Sequence, residues 1–199
     1  MKTVTKILIL FIAFLSINVA FSQNLMKAPI HYKLKNGLNV VVAQNTGLGK
    51  IYSRLLIENE TKESNSILAQ VLETYLNNKA NSFNELMAGN NNNISKITMS
   101  IKEANTATNV ANFEEALNYI ANTFLNLEIT SQSFAEIKGL YNGNKADLDS
   151  ITLQSLKDYY SKNYNASDAY VTIAGDINPA HAKEIAAKAF GNWSEITSL

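Results

Sequence analysis

Apolar and polar residues alternate in the stretch from His31 to Lys35. A Val-rich run from Leu38 to Gln44 follows, and the dipeptide Asn36-Gly37 lies between the two. Because Asn-Gly between two such runs is a strong turn signal, the pattern predicts a β-hairpin. The apolar segment from Ile51 to Ile57 predicts a third strand after it.

After Glu63 the apolar period lengthens to that of a helix. A single stripe predicts a first helix, and its members are Ile67, Leu68, Val71, Leu72, Tyr75 and Leu76. A separate short helix is predicted from Ser82 to Ala88, and the Asn-rich run from Asn90 to Asn93 is predicted to be a solvated loop. The stretch from Ile94 to Ile101 then predicts one more strand.

Helix-start signals divide the region that follows. Asn112 with Glu115 three residues later has the arrangement of a capping box, and it predicts an amphipathic helix that ends near Leu125. Ser133 with Glu136 repeats that spacing and predicts the cap of a further helix.

The last third of the chain predicts a helix, a strand and a closing helix. Thr152 begins a helical pattern that runs to about Tyr164, and the segment from Ala169 to Ala174 predicts a strand that ends at Gly175-Asp176. Asn178-Pro179 predicts a cap followed by a proline in the first turn of a helix that ends near Phe190. This order predicts an α+β fold, a mainly antiparallel sheet with helices packed on one face.

The first 22 residues have the pattern of a secretory signal peptide. Lys2 and Lys6 precede an apolar run from Ile7 to Leu15, and small residues precede a cut between Ser22 and Gln23. We therefore predict residues 1–22 as signal peptide, residues 23–199 as a single domain, and a periplasmic or secreted protein. The alternative is an N-terminal anchor that is not cleaved.

Composition excludes several classes of function. Lys plus Arg and Asp plus Glu both number 17, so the formal net charge is zero. Arg54 is the single arginine and there is no cysteine. A neutral chain with one arginine is not expected to bind nucleic acid, or a membrane once the signal is removed. The lack of cysteine excludes disulfides and thiolate metal sites.

Particular segments carry a family resemblance. The first is His31-Tyr-Lys-Leu-Lys-Asn-Gly-Leu-Asn-Val-Val-Val. The later ones are Leu156-Lys-Asp-Tyr-Tyr-Ser-Lys-Asn-Tyr, Tyr170-Val-Thr-Ile-Ala-Gly-Asp-Ile and Ala189-Phe-Gly-Asn-Trp. In order and spacing they resemble the pitrilysin/insulinase family of zinc peptidases, which includes the mitochondrial processing peptidases, over roughly residues 29–194. The resemblance implies one half-unit of the clamshell that closes over a peptide in that family.

The same resemblance implies a zinc motif that this sequence lacks. Active half-units carry H-x-x-E-H on the first helix, where two histidines bind zinc and the glutamate is the general base. The matching positions here are Gln70, Glu73 and Thr74. Glu73 matches the general base, but glutamine and threonine are not usual zinc ligands. We therefore expect no catalytic residue, no bound zinc and no other cofactor.

No other set of residues replaces the missing site. The third zinc ligand of the family would come from the stretch between Phe134 and Asp149, where Glu136 is the single glutamate and is already interpreted as a cap. His181 and Glu184 form an isolated H-x-x-E, and His31 is the other histidine. Asp147 and Asp149 are interpreted as solvated charges in a loop.

Three hypotheses about function remain. The favoured one is an exported, non-catalytic peptidase-like protein that pairs with a catalytic half-unit of the same family or binds peptide. The second is a stand-alone binding or structural module, or a degenerate fragment of a longer peptidase. The third is an active zinc metallopeptidase with an unrecognised site.

Overall fold

The alternating and helical patterns become six strands and six helices in a computed structural model, which describes residues 27–58, 66–89, 95–125 and 130–193. The strands are β1 (Ile30–Lys33), β2 (Asn39–Gln44), β3 (Lys50–Ile57), β4 (Lys96–Met99), β5 (Glu103–Asn109) and β6 (Ala169–Gly175). The helices are α1 (Ile67–Gly89), α2 (Phe113–Leu125), α3 (Ser131–Leu140), α4 (Lys145–Asp149), α5 (Leu153–Asn163) and α6 (Pro179–Phe190). The predicted signal peptide lies outside the described residues.

All six strands form one sheet in the order β1-β2-β6-β3-β5-β4. The last strand of the chain, β6, lies between β2 and β3, parallel to the former and antiparallel to the latter. Every other neighbouring pair is antiparallel. The predicted α+β class with a mainly antiparallel sheet is therefore confirmed.

One face of the sheet is buried against the helices. The strand residues that point to it are mostly apolar, for example Val40, Ile51, Leu55, Val171 and Ile173, and each is almost inaccessible to solvent. Helices α1, α2 and α6 contact β4, β5 and β2 respectively. Burial of this face supplies the main driving force for folding because the helices are amphipathic and cover it.

The predicted hairpin forms, and it joins the two ends of the fold. The Leu34 amide donates to the Leu38 carbonyl at 2.9 Å, and Gly37 adopts a φ of 90°, which favours glycine. The Asn36 side-chain amide donates to the carbonyl of Phe190 at 2.7 Å and to that of Trp193 at 3.1 Å. The turn therefore holds the end of α6 and brings the first and last resembling segments into contact.

Helix α1 corrects the predicted division of this region. The separate helix from Ser82 to Ala88 is wrong, because α1 runs unbroken through it. Ala80, Phe83 and Met87 continue its buried face, and this burial outweighs the weak helix propensity of the intervening asparagines. The Asn84 side chain also bonds the amide and the carbonyl of Ile97, both at 2.8 Å, and so ties α1 to β4.

Strand β5 was missed by the sequence analysis. Its buried positions hold only small residues, Ala104, Thr106 and Thr108, so its alternation is hidden from an analysis based on large apolar residues. The Thr106 hydroxyl lies 2.9 Å from the Ser53 hydroxyl and accepts the Ser53 amide at 3.2 Å. The strand predicted from Ile94 to Ile101 shortens to β4, and Ile101 lies in the turn before β5.

Two predicted helix caps are displaced. Asn109, not Asn112, accepts a backbone amide and begins the short 3-10 turn that precedes α2. The Asn112 side chain instead donates to the Ser95 hydroxyl at 3.1 Å. Thr130 caps α3, with Ser133 as the reciprocal partner, so Glu136 has no capping role.

The caps of the last two long helices agree with the prediction. Thr152 caps α5, and Asn178 caps α6 with Pro179 in the first turn. Asp147 and Asp149 lie on the short helix α4 rather than in a loop, and both are exposed. Among the described residues no helix is both long and apolar enough to cross a membrane.

Candidate functional site

The positions of the zinc motif lie on the first turns of α1. Val71, Leu72 and Leu76 pack into the core and fix how this helix is rotated on the sheet. The opposite side of the helix therefore presents Gln70, which is exposed, and Glu73, which is partly buried. The structure brings the predicted positions together on one face, as the spacing requires.

The Gln70 side chain is held by a residue from the end of α3. Its carbonyl oxygen Oε1 accepts the hydroxyl of Tyr141 at 3.2 Å. Tyr141 follows the last residue of α3, and a Cβ added to Gly143 would lie 2.2 Å from its ring. Gly143 thus leaves the space in which the Tyr141 ring lies. The sequence analysis did not identify Tyr141.

Glu73 is engaged by the backbone of the turn between β4 and β5. Its Oε2 accepts the Ile101 amide at 2.7 Å, and its Oε1 accepts the side-chain amide of Asn77 at 3.2 Å. The Ile101 carbonyl accepts the hydroxyl of Tyr164 at 2.9 Å. Both peptide groups of Ile101 are therefore bound, and we call Glu73, Ile101 and Tyr164 the turn clamp.

Tyr164 is suited to the donor role in the turn clamp. Its ring stacks on that of Tyr160 with centroids 4.6 Å apart, and it is 1% exposed. Burial raises the pKa of Tyr164 well above its ordinary value, with smaller contributions from the neighbouring tyrosines and Glu73. The hydroxyl therefore stays protonated and donates a hydrogen bond to the Ile101 carbonyl.

The remaining motif position, Thr74, is used within the helix. Its hydroxyl donates to the Gln70 carbonyl at 2.9 Å, one helical turn back. This bond is a common way for a threonine inside a helix to satisfy its own hydroxyl.

Glu136, the residue considered as a third ligand, makes an ion pair with α1. It lies 3.2 Å from the ammonium group of Lys79, which also lies over the Tyr75 ring at 5.0 Å. Burial by itself would lower the pKa of Lys79, but the bond to Glu136 and the nearby Tyr75 raise it overall. Tyr141, which lies in the same stretch between Phe134 and Asp149, contacts Gln70.

The histidines are not brought to this site. His31 shares the face of the sheet that carries Val41 and Thr172, whereas α6, which bears His181, packs on the opposite face. The Nδ1 atom of His181 lies 3.6 Å from Glu184, and both side chains are largely exposed.

The side chains at the motif do not fit zinc. An amide and a hydroxyl stand at the two histidine positions, and both carboxylate oxygens of Glu73 already accept hydrogen bonds. Within residues 27–58, 66–89, 95–125 and 130–193 no three His, Cys, Asp or Glu side chains are grouped as metal ligands. The hydrogen bonds of Gln70 and Glu73 instead connect α1 to the end of α3 and to the β4–β5 turn.

Comparison with known proteins gives a family match near the end of the chain and matches of the whole fold. Residues 150–197 match the family described as Peptidase M16 inactive domain. The fold superposes on a protease from Helicobacter pylori with a TM-score of 0.67 at 20% identity, covering 87% of this chain and 52% of that one. For pitrilysin the TM-score is 0.65 at 13% identity, covering 89% of this chain and 24% of pitrilysin.

A peptidase M16 inactive domain from Pseudomonas fluorescens superposes with a TM-score of 0.63 at 18% identity, covering 87% of this chain and 52% of the other. At these identities the likeness is one of fold, and no characterised protein matches closely enough in sequence to count as a relative. The chain spans about half of two of these structures and about a quarter of pitrilysin. The resemblance to the pitrilysin-like fold is confirmed, and the matched stretch at residues 150–197 is similar to the inactive domain of M16 peptidases.

Proposed function

We propose that this pitrilysin-like domain of the M16 peptidase type acts by binding and performs no catalysis, pairing with a catalytic unit of the same fold. The observation that carries the proposal is the turn clamp. The carboxylate at the general-base position holds the backbone of Ile101, and neither flanking position offers a zinc ligand. The positions that match the peptidase motif make contacts within the fold instead.

The extent of the chain supports pairing. It covers about half of the Helicobacter pylori protease, so a protein of that kind contains a further stretch of similar length. In the pitrilysin/insulinase clamshell that the sequence resembles, two units enclose the peptide. A non-catalytic unit supplies one wall of such a chamber, and the exposed side of α1 around Gln70 is the surface that would contact the catalytic unit.

A stand-alone binding or structural module is the second candidate. It is favoured by the described core, in which the covered face of the sheet is closed by this chain's own helices. Both candidates include export, since the pattern of residues 1–22 is that of a signal peptide cut before Gln23.

Pairing is tested with an M16 unit that carries H-x-x-E-H and is encoded by the same organism. We expect the two proteins to sediment as one complex, and the peptidase activity of the catalytic unit to rise at least about tenfold when this chain is added. A Gln70→Arg variant should weaken the complex, because a large charged side chain would enter the interface on α1. Lys157→Glu, a charge change at an exposed position of α5, is the control.

The outcomes separate the two candidates. A complex that forms equally well with Gln70→Arg would place the interface elsewhere and contradict the role of α1. If the protein stays monomeric with every such unit of its organism, pairing is wrong and the stand-alone module remains.

Zinc ligands can be introduced one step at a time, because the motif positions show where ligands are missing. The purified protein should carry zinc well below one equivalent. Gln70→His with Thr74→His should bind zinc weakly, and adding Tyr141→Glu should tighten binding at least about tenfold, since a structural or catalytic zinc site needs at least three protein ligands. Isothermal titration with zinc measures both steps.

Glu136 provides the control for that series. Because it is paired with Lys79, Glu136→Gln in the two-histidine variant should leave zinc affinity unchanged. A loss of affinity would show that Glu136 reaches the metal, and stoichiometric zinc in the unaltered protein that survives dialysis would contradict the proposal that the site binds none.

A further inference from the structure

The second face of the sheet is open in the described part of the chain. Side chains alternate between the two faces of a strand. The register places one outward residue from each of five strands side by side in a row, which reads Val41, Thr172, Arg54, Asn105 and Thr98 from β2 to β4. These residues are exposed or partly exposed, whereas their neighbours along each strand are buried under the helices.

This open face concentrates positive charge. The strands carry four cations, Lys33, Lys50, Arg54 and Lys96, and one carboxylate, Glu103, and the alternation places all five on the open face. The Arg54 guanidinium donates to the Glu103 carboxylate at 2.9 Å, so the excess positive charge is that of the three lysines. Since the whole chain has a formal net charge of zero, the rest of the chain has a corresponding excess of carboxylates. The separation of charge is a property of the fold and is invisible in the composition.

An apolar strip crosses the same face between the cations. The row next to Arg54 reads Ala43, Ala174, Tyr52 and Ala107, with Lys96 at its end. Tyr52 is 48% exposed, and the alanines beside it leave a shallow depression of about 360 Å³. Short side chains around an aromatic ring let another chain approach the sheet closely.

The size of the face limits what can bind there. Six strands about 4.8 Å apart and about five residues deep give a flat area on the order of 400 Å². A single extended peptide segment fits within this area.

We propose that the open face binds an acidic peptide segment whose carboxylates meet Lys50 and Lys96 and whose apolar side chains lie along the strip around Tyr52. A peptide can alternate carboxylates with apolar residues as this surface alternates cations with alanine and tyrosine, whereas a nucleic acid carries a charge on every nucleotide. The surface differs from the exposed side of α1, so the inference does not depend on pairing.

Fluorescence anisotropy with a labelled peptide of three Glu-Ala-Glu-Leu repeats tests the inference. We expect saturable binding with a Kd of about 10–100 μM at low salt, weakening several-fold at high salt because exposed charges are screened. Lys96→Glu should weaken binding at least about tenfold, and Lys157→Glu, the same charge change on α5, less than twofold. Tyr52→Ser should also weaken it, whereas Leu86→Ser, an exposed apolar residue on α1, should not.

Amide chemical shifts locate the bound peptide. Addition of the peptide should shift the signals of Tyr52, Thr172 and Ala174 in β3 and β6 before those of α1. Equal losses with Lys96→Glu and Lys157→Glu, or the absence of saturable binding, would overturn the inference. Tighter binding of a thymidine oligomer of similar length would also overturn it and assign the face to nucleic acid.

Discussion

Replacing Gly175 with alanine is expected to destabilise the protein by more than about 3 kcal/mol. Gly175 ends β6 with a φ of 138°, which L-residues rarely adopt. An added Cβ would lie 2.2 Å from the Lys50 carbonyl and 2.8 Å from the Ile51 Cα atom. Both are backbone atoms of β3, so relief would require the two central strands to separate.

Thermal unfolding of the Gly175→Ala variant measures this effect, and a fall in Tm on the order of 10 °C is expected for a domain of this size. Gly139→Ala is the matched control, because Gly139 lies in α3 and an added Cβ there would meet nothing within 4 Å. The control should raise stability by about 0.5–1 kcal/mol, since alanine is the better helix former. Similar Tm values for the two variants would contradict the close contact at β3.

Removal of the Glu73 carboxylate should be the next largest effect, at about 2 kcal/mol. Glu73→Ala leaves the Ile101 amide without its acceptor in a partly buried turn, and a hydrogen bond to a charged group contributes about 1.5–3 kcal/mol. Glu73→Gln keeps a carbonyl oxygen at the same place, so it should cost less than half as much. Chemical denaturation of the three proteins measures the difference.

Two comparisons make that prediction specific to the turn clamp. Glu85→Ala removes an exposed glutamate from the same helix and should change stability by less than about 0.5 kcal/mol. Tyr164→Phe removes the donor to the Ile101 carbonyl and should cost about 1 kcal/mol. If Glu73→Ala behaves like Glu85→Ala, the carboxylate has no structural role and the turn clamp is wrong.

The surroundings of Gln70 and Glu73 show how much of the candidate site can be predicted from the sequence. Helical spacing alone places Gln70, Glu73 and Thr74 on one face, and the structure agrees. It cannot show which backbone groups approach that face from elsewhere. The contact from the β4–β5 turn and the bond from Tyr141 join residues 28 and 71 positions apart, and such pairs depend on how the helices pack on the sheet.

The sequence by itself determined the elements with strong local signals. The hairpin at Asn36-Gly37, the caps at Thr152 and Asn178 and the strand that ends at Gly175 depend on interactions within a few residues, so a local pattern suffices to predict them. The absence of histidine at positions 70 and 74 is also read directly from the sequence, because metal binding depends on residue type.

Only the tertiary structure decided what depends on distant partners. Strand β5 has no large apolar residue, and it is a strand because β3 and β4 bind it on either side. The unbroken course of α1 through its asparagines follows from burial of Phe83 and Met87. The charged open face arises because register aligns Arg54 with residues of β5 and β6 that are about 50 and 118 positions away in the chain. Contacts between such distant segments leave no local sequence pattern, because the segments meet only after the chain has folded.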